Sequence, residues 1–515
     1  MFLLSILDEA ARHKERLVMN FILLHIADDV FSKRLGEQKF MFKKFWPFLL
    51  LAVLSFTIHF AFLSYPAQVV FDEVHFGKFV AGYFTHQYFF DIHPPLGKLL
   101  IAGFAKIANV NPVFAFEKIG DNIPGSTLFW LRFLPAFFGS LFVLFFSWLA
   151  YLASRSKKVA LIAGFLILLD NAFLVQSKFI LVDVFLVSFE ILTFCFFFLW
   201  QRQKSFSAKW FSYLILTALF FGLTISIKWT GLAAIGIIGI ILFAKIFNKK
   251  LTGYLSQEQD QPEQTLTASA WKKIKEGLTG FLTVLFIGLA IYMIPFYIHF
   301  KLLPNSGPGD AFMSRDFQNE LKYGRENVDR SLSFTEKFIE LNKTMFTANA
   351  SITSEHPFGS RWYNWPTGYK PVYYWNQDQI DSLPTWKSKI YFSGNLFLWW
   401  LTIFCFALVI LALFFKKSRQ KISPIFFILI LAYLANLLPF ILVKRVAFLY
   451  HYLLPAAFAV LLTSFMLGYL LPRYKKTFIS IILLIIFSFV IIAPLSYGWP
   501  MPPKLDKFES ELMLF

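Results

Sequence analysis

Runs of about 20 apolar residues recur along the chain, and they restrict its fold more than any other feature of the sequence. A helix needs about 20 residues to cross the hydrocarbon core of a bilayer. Hydrophobic residues make up 57% of the 515 residues and charged residues only 16%, whereas soluble domains have about 25% charged residues. The sequence therefore excludes a soluble globular protein and a disordered chain, and it predicts an all-α polytopic membrane protein. The eleven predicted spans are 46–65, 127–150, 159–174, 179–200, 210–227, 229–246, 278–299, 392–414, 424–443, 448–471 and 477–494.

The positions of Lys and Arg predict how these spans are oriented. The formal net charge is +18, and with eleven spans the Lys and Arg clusters fall on one side, which the positive-inside rule makes the cytoplasm. We therefore expect a cytoplasmic segment at 1–45, a membrane domain at 46–494 and an extracytoplasmic tail at 495–515. Two long loops, 66–126 and 300–391, would face outward, and loops of this length are usually functional.

The first outer loop carries adjacent carboxylates, Asp72 and Glu73, directly after the first span. Carboxylates there are unfavourable against lipid but suit a polar cleft, where one can act as a general base or hold a substrate cation. The alternative is a pair of solvated loop residues. Further along, Pro95 can begin a helix. In 96–108 the apolar residues share one face with Lys98 opposite, which predicts either an interfacial helix or a helix buried against the bundle.

Several ionisable residues lie near the predicted outer ends of spans. Charge inside a bilayer must be paired or hydrated, and it is a functional hypothesis by default. A polar, partly cationic cavity that opens outward would explain their common side, and cations there suit a phosphate group. Each of them can instead be part of a structural ion pair. The residues are Arg132, Asp170, Lys178, Asp183, Lys228, His299, Arg445 and His451.

The second outer loop has two informative segments. The Gly and Pro residues of 304–314 indicate an ordered turn that contains Asp310. Farther on, His356, Arg361 and Trp362 lie in an aromatic segment. The aromatic rings can belong to an interfacial belt, or they can stack on a sugar or clamp a peptide.

Recognisable cofactor and metal motifs are missing from the sequence. It contains no Walker A loop, HExxH, GxSxG or zinc-type spacing. Cys195 and Cys405 both lie in apolar runs and predict neither a disulfide nor a thiolate metal site.

A set of motifs in consistent order resembles the protein O-mannosyltransferases. They include FDEVHFGKF, YFFDIHPPLGKLL, LLDNAFLVQSKFILVDVFL, FYIHFKLLPNSGPGDAFMS, HPFGSRWYNWP, IYFSGN and RVAFLYHYLLPA, and the similarity covers about 65–470. The resemblance implies a GT-C glycosyltransferase fold and inverting transfer of mannose from a dolichyl- or polyprenyl-phosphate carrier to protein Ser or Thr. Eukaryotic members usually insert a MIR domain in the second outer loop. Here that loop is too short for one, which implies a minimal prokaryotic-type member in a plasma membrane.

The resemblance also suggests roles for individual residues. The family's acidic pair maps onto Asp72, expected to be the general base, and Glu73, expected to position the acceptor or the base. No cofactor is required; a divalent metal that assists departure of the phosphate stays open, but no clear ligand set supports one. The expected partners are polyprenyl-phosphate-mannose, acceptor proteins with exposed Ser or Thr and membrane lipid, without nucleic acid. We expect the donor phosphate or sugar to contact His93, Lys98, Arg132, Lys228, Arg445 and His451. We expect the acceptor or sugar to contact Asp310, His356, Arg361 and Trp362.

Three other functions remain open from the sequence. Another GT-C enzyme would share the fold and the outer carboxylate, and would move a lipid-carried sugar to a glycan or lipid. A transporter would tend to show inverted repeats and polar sites at the membrane midplane, which this sequence does not show clearly. A non-catalytic paralogue would not need the intact pair of Asp72 and Glu73.

Overall fold

The computed structural model describes residues 45–256, 266–352, 355–378, 383 and 385–513. Within these ranges, nine helices are long and apolar enough to cross a membrane, and a bent pair of helices raises the number to ten. This result confirms the predicted all-α polytopic fold. All candidate site residues belong to one compact unit that begins at residue 54.

The described residues form α-helices and two β-strands, which are numbered here in chain order. The strands are β1 (Val372–Gln377) and β2 (Ser388–Phe392). The helices are α1 (Phe45–Phe60), α2 (Glu73–Thr85), α3 (Leu96–Ile107), α4 (Gly125–Ser154), α5 (Lys157–Leu168), α6 (Asn171–Lys178), α7 (Asp183–Gln201), α8 (Ala208–Ile225), α9 (Ala233–Phe247), α10 (Lys249–Ser256), α11 (Leu266–Leu302), α12 (Arg315–Tyr323), α13 (Phe334–Ser351), α14 (Leu396–Phe414), α15 (Lys416–Lys421), α16 (Pro424–Leu437), α17 (Leu453–Leu470), α18 (Lys475–Tyr497) and α19 (Pro503–Leu512).

Two of the eleven predicted spans differ from single long helices. The predicted span 46–65 corresponds to α1, which is shorter than 18 residues, and residues 1–44 of the predicted cytoplasmic segment lie outside the described residues. The predicted span 159–174 is divided into α5 and α6, whose axes differ by 61°. The division occurs because the Asp170 side chain accepts a hydrogen bond from the N–H of Ala172 and so begins a new helix.

The centre of the bundle is α7, whose residues are nearly all buried. It packs against α4 and α8, while α11 packs against α8 and α9, and α17 packs against α5, α14 and α16. Polar contacts inside this core also join helices that are far apart in the sequence. For example, the Asn436 side chain of α16 donates to the Glu190 carboxyl of α7 at 3.1 Å. The core therefore fixes the ends of α4, α6 and α7, from which the candidate site is built.

The first loop contains α2 and α3, and the structure shows which residues of α3 are buried. Its small residues and Lys98 face the protein, whereas Ile107 is 84% exposed. The rest of the apolar face is only partly open, because Leu96, Leu99 and Leu100 are half-buried and Phe104 stacks on Phe133 of α4 with ring centroids 4.9 Å apart. That face also lines an apolar cavity of about 640 Å³, together with residues of α8 and α11.

The second loop contributes α12, α13 and a two-stranded antiparallel sheet of β1 and β2. The register of the sheet shifts between Tyr373 and Trp375. The last helix, α19, is attached to β2 because Lys389 donates to Ser510 at 2.9 Å. The described residues of this loop form short helices and one small sheet, which agrees with the expected lack of an inserted domain.

Candidate active site

Asp72 lies immediately before α2, at the end of the loop that follows α1. Its carboxylate forms no hydrogen bond or ion pair with any residue that the structure describes. Burial raises the pKa of Asp72 to about 7; Lys228 opposes this rise, and the carboxylates of Asp183 and Asp91 add to it. A carboxylate with this pKa and with free oxygens can accept a proton from a hydroxyl near neutral pH.

Glu73, the next residue, has the opposite environment. Its two carboxylate oxygens accept hydrogen bonds from Nε and Nη2 of Arg132, each at 2.8 Å, and both side chains are buried. Glu73 also accepts from the backbone N–H groups of Val70 and Ile180, each at 2.9 Å. With four hydrogen bonds from three residues, the Glu73 carboxylate joins the first loop to α4 and to the short segment between α6 and α7.

Arg132 has no N–H group left for a substrate. Its three remaining N–H bonds are directed to the backbone oxygens of Leu63 (3.3 Å), Pro66 (2.9 Å) and Gln68 (2.9 Å). The geometry therefore corrects the expectation for Arg132, whose N–H groups bind Glu73 and the loop backbone and leave none for a donor phosphate. Of the two roles expected for Glu73, its buried position beside Asp72 fits positioning of the base and not contact with the acceptor.

Lys228 belongs to a buried chain of hydrogen bonds. Its Nζ donates to Asp183 Oδ1 at 2.7 Å, and Gln176 Nε2 donates to Asp183 Oδ2 at 2.9 Å. The Tyr374 hydroxyl donates to Gln176 Oε1 at 2.7 Å. Because one carboxylate oxygen uses one N–H of Lys228, the ammonium group keeps further donors for a ligand beside Asp72.

His93 and Lys98 lie together at the start of α3, as their common motif predicts. Lys98 Nζ forms an ion pair with Asp91 and donates to the backbone oxygen of His93 at 2.8 Å. Burial lowers the pKa of His93 well below its ordinary value, and the cations of Lys228, Lys98 and nearby residues contribute to the effect. His93 is therefore neutral, so it can offer a hydrogen bond to a donor group but no positive charge.

Arg445 and His451 flank the same region from the segment before α17. The half-buried Arg445 guanidinium has no hydrogen bond or ion pair with the described residues, and burial lowers its pKa from the ordinary value. The His451 ring stacks on Tyr450 at 4.6 Å and on Trp365 at 5.9 Å. The Nδ1 of His451 lies 3.0 Å from the backbone oxygen of Phe448. Arg445 is thus the cation of this group with the most donors to offer a phosphate.

Asp310 caps a turn of the second loop. It accepts hydrogen bonds from Ser306 and from the backbone N–H of Gly307, the latter at 3.0 Å. The turn packs directly on the first loop, because a Cβ at Gly309 would lie only 2.3 Å from the backbone nitrogen of Phe90. The Asp310 carboxylate is therefore occupied by hydrogen bonds within the turn, and the turn shapes the surface beside the site. The expected contact of Asp310 with the acceptor or the sugar stays a prediction.

His356, Arg361 and Trp362 lie in the second loop, between α13 and β1. His356 and Arg361 are exposed, Trp362 is half-buried, and Arg361 forms no ion pair within the described ranges. The N–H of Ser360 donates to the oxygen of Ala447 at 2.8 Å, which fixes this segment beside the segment before α17. These three side chains are therefore available to an acceptor approaching from outside.

Four residues of the site were missed or given no role by the sequence reasoning. Asp91 lies in a recognised motif, and Asp183 is one of the ionisable residues near span ends, so both carried a usable signal. Gln176 lies in a recognised motif but drew no attention because it is uncharged, and Tyr374 carried no signal because it is one of 20 tyrosines. Both are identified only by the hydrogen bonds that join distant parts of the chain.

The site combines the Asp72 carboxylate, unpartnered within the part of the chain that the structure describes, with cations that suit an anionic leaving group. Among the described residues, no group of three or more His, Cys, Asp or Glu side chains could hold a metal ion. The arrangement is suited to proton removal by Asp72 and to stabilisation of a phosphate by Lys228 and Arg445.

Comparisons with known proteins identify the family. The family model "Dolichyl-phosphate-mannose-protein mannosyltransferase" matches residues 49–304, and "C-terminal four TMM region of protein-O-mannosyltransferase" matches 334–514. Protein O-mannosyltransferase 1 of Drosophila melanogaster is 32% identical over 281 residues, which are 54% of this chain and 30% of the relative. Dolichyl-phosphate-mannose--protein mannosyltransferase 4 of Saccharomyces cerevisiae is 33% identical over 292 residues, which are 55% of this chain and 36% of the relative. The chain thus matches roughly a third of the length of these relatives.

A solved structure shares the fold over nearly the whole chain. It is the S. cerevisiae protein O-mannosyltransferase Pmt1-Pmt2 complex bound to the sugar donor, with a TM-score of 0.78 at 19% identity. The alignment covers 91% of this chain and 92% of the other. The fold is therefore the GT-C fold that the motifs implied, and the chain belongs to the dolichyl-phosphate-mannose-protein mannosyltransferase family.

Proposed function

We propose that this protein transfers mannose from a dolichyl- or polyprenyl-phosphate carrier to Ser or Thr hydroxyls of proteins, with inversion at the anomeric carbon. The observation that carries the proposal is the Asp72 carboxylate, which has no hydrogen-bond partner among the described residues and is under the electrostatic influence of the Lys228 cation. The names of the family and of the matched relatives, which specify a dolichyl-phosphate-mannose donor and a protein acceptor, support the same reaction.

The chemical step needs a base on the acceptor side only. Asp72 accepts the proton of the acceptor hydroxyl while the hydroxyl oxygen forms a bond to C1 of mannose. The bond between C1 and the carrier phosphate oxygen breaks, and its electron pair leaves with the phosphate. Attack from the face opposite the phosphate inverts C1. A positioned carboxylate of this kind contributes about 10²–10⁴-fold to the rate.

The leaving group is stabilised as an anion and needs no proton. Arg445 and Lys228 provide cationic donors, and neutral His93 provides a hydrogen bond at the side of α3. Such preorganised donors act where charge develops on the phosphate. This chemistry needs no cofactor, and we expect activity to persist in EDTA; loss of activity in EDTA with recovery on adding a divalent metal would contradict that expectation.

The ends of α4 suggest the location of the site in the membrane. Glu73 contacts Arg132, the eighth residue of α4, whereas Arg155 follows the last residue of the helix. The 23 residues from Arg132 to Arg155 correspond to about 35 Å of helix, enough to cross the hydrocarbon core of a bilayer. Since Arg155 belongs to the clusters expected in the cytoplasm, we place Asp72 at the extracytoplasmic face of a plasma membrane, with the N-terminus inside.

The test is transfer of labelled mannose from polyprenyl-phosphate-mannose to a Ser/Thr-rich peptide. We expect transfer by the wild type, and a loss of at least about 10²-fold in Asp72→Asn with donor binding intact. Asp316→Asn is the matched control, because Asp316 is an exposed carboxylate of the second loop. Wild-type rates in Asp72→Asn would refute the assigned base. Transfer to a glycan or lipid acceptor, with none to peptide, would favour the alternative GT-C enzyme.

A further inference from the structure

Phe71, the residue before Asp72, has an unusual backbone conformation that is held from outside its own loop. Its φ of 47° lies in the left-handed region, which a bulky side chain adopts at a cost of about 1–3 kcal/mol. The backbone N–H of Phe71 donates to the oxygen of Tyr374 in β1 at 3.1 Å. The two rings are also stacked, with centroids 4.0 Å apart and planes 7° apart. A residue of the second outer loop therefore stabilises the conformation at position 71.

Tyr374 is itself fixed from the opposite direction. It is fully buried, and its hydroxyl donates to Gln176 of α6, which in turn donates to Asp183, the partner of Lys228. One tyrosine thus contacts the backbone next to Asp72 and the hydrogen-bonded group that holds Lys228. Displacing its ring would alter the position of the carboxylate relative to that cation.

The Asp72 carboxylate has no partner of its own among the described residues, so its direction depends on the backbone on either side. On one side Glu73 is held by its four hydrogen bonds, and on the other Phe71 is held by Tyr374. We infer that Tyr374 is a positioning residue for the reaction of Asp72, so that the β1–β2 hairpin forms part of the active site. This inference rests on the proposed mannosyl transfer.

Loss of the stack would also open the region around the carboxylate to water. Burial is the main cause that raises the pKa of Asp72 to about 7, so hydration would return the pKa toward its ordinary, lower value. The acidic limb of the pH–rate profile would then move to lower pH. The titratable groups that act on Asp72 from the surrounding elements are Lys228, Asp183, Asp91, Tyr374 and Tyr450.

The experiment measures mannosyl transfer to peptide against pH, together with donor affinity, in two variants. Tyr374→Leu removes the stacked ring of the hairpin, and Phe71→Ala removes the other ring of the same stack. Because Phe71 is half-buried and Tyr374 is fully buried, the second variant remains informative if the first does not fold. The control is Tyr373→Leu, because Tyr373 precedes Tyr374 on β1 and contacts Tyr391 and Phe358. It tests loss of hairpin packing without loss of the stack on Phe71.

We expect both stack variants to lower kcat by about 10²-fold, as for a displacement of about 1 Å at a reacting group. In both stack variants the acidic limb of the pH–rate profile should lie at lower pH than in the wild type, and donor affinity should be unchanged. In Tyr373→Leu the acidic limb should stay at the wild-type pH. If the wild type is active and the acidic limb of the pH–rate profile is unchanged in the two stack variants, only the positioning role is overturned. An equal loss of kcat in all three variants, without a shift of the acidic limb, would also overturn only that role. A wild type that transfers no mannose would overturn both the role and the proposed function.

Discussion

The carboxylate of Glu73 is held by Nε and Nη2 of Arg132 at 2.8 Å each, and both side chains are fully buried. Asp72, one residue earlier, has no such partner among the described residues. Two adjacent acids of one motif therefore have different functions: one fixes the backbone, and the other is available for proton transfer.

Breaking this pair should destabilise the protein. Arg132→Leu leaves the Glu73 carboxylate buried without its cation, and removal of one partner of a buried ion pair costs about 3–5 kcal/mol. We expect a clearly lower thermal unfolding midpoint in detergent, or a failure to accumulate folded protein. Lys507→Gln, which removes a highly exposed ion pair with Glu511, should leave the midpoint unchanged. Equal midpoints for the two variants would show that the buried pair does not stabilise the fold.

The pH dependence of transfer should report the titration of Asp72. Burial raises the pKa of this carboxyl to about 7, and a general base works only when it is deprotonated. Peptide mannosylation, measured as kcat/KM, should therefore be nearly constant at high pH and fall about tenfold for each pH unit below 7. The residual activity of Asp72→Asn should lack this limb. A wild-type limb near pH 4 would mean that Asp72 is hydrated or that another group is the base.

The outline of the fold was readable in the sequence because the spans are long and apolar. The exceptions have local causes: the predicted span 159–174 is broken at Asp170, whose side chain caps a new helix inside an apolar stretch. The buried face of α3 was left open because its apolar stripe suits lipid and a protein core equally well. In the structure Lys98 is buried and Phe104 stacks on Phe133 of α4, so α3 packs on the bundle, while its last residue, Ile107, is exposed.

The site was only partly readable, because adjacent residues in the sequence gave no information about partners far along the chain. Glu73 and Arg132 are 59 positions apart, and Arg132 looked like a phosphate ligand because its backbone partners cannot be inferred from residue types. Tyr374 is 198 positions from its partner Gln176. Asp72 and Arg445 could be proposed because a charge near the membrane must be paired, hydrated or functional.

Arg445 should contribute to donor affinity. Its guanidinium is half-buried, lacks a partner among the described residues and acts electrostatically on His93 and Tyr450. Hydrogen bonds to charged groups contribute about 1.5–3 kcal/mol, so Arg445→Gln should weaken binding of polyprenyl-phosphate-mannose by about 10–100-fold. The dissociation constant of the donor, measured without acceptor peptide, is the direct readout.

Its neighbour provides the control for this prediction. Lys444 is exposed, so Lys444→Gln removes one positive charge from the same segment without altering the half-buried group. We expect a change of donor affinity much smaller than in Arg445→Gln. Equal effects of the two substitutions would show that the segment acts through its overall charge, and that Arg445 does not contact the phosphate.

The break between α5 and α6 should depend on Asn395. Its buried Nδ2 donates to the backbone oxygens of Leu169 and Ile485, each at 2.9 Å, and its Oδ1 accepts from the N–H of Leu398. Asn395→Ala leaves the N–H of Leu398, in the first turn of α14, without its cap and removes one bond from each of the two carbonyl oxygens; an unsatisfied buried group costs about 1–3 kcal/mol. Thermal unfolding in detergent should show a large loss of stability, whereas Asn327→Ala, on the exposed loop after α12, should show almost none. A wild-type midpoint in Asn395→Ala would mean that Asp170 and the rest of α14 hold the bend without it.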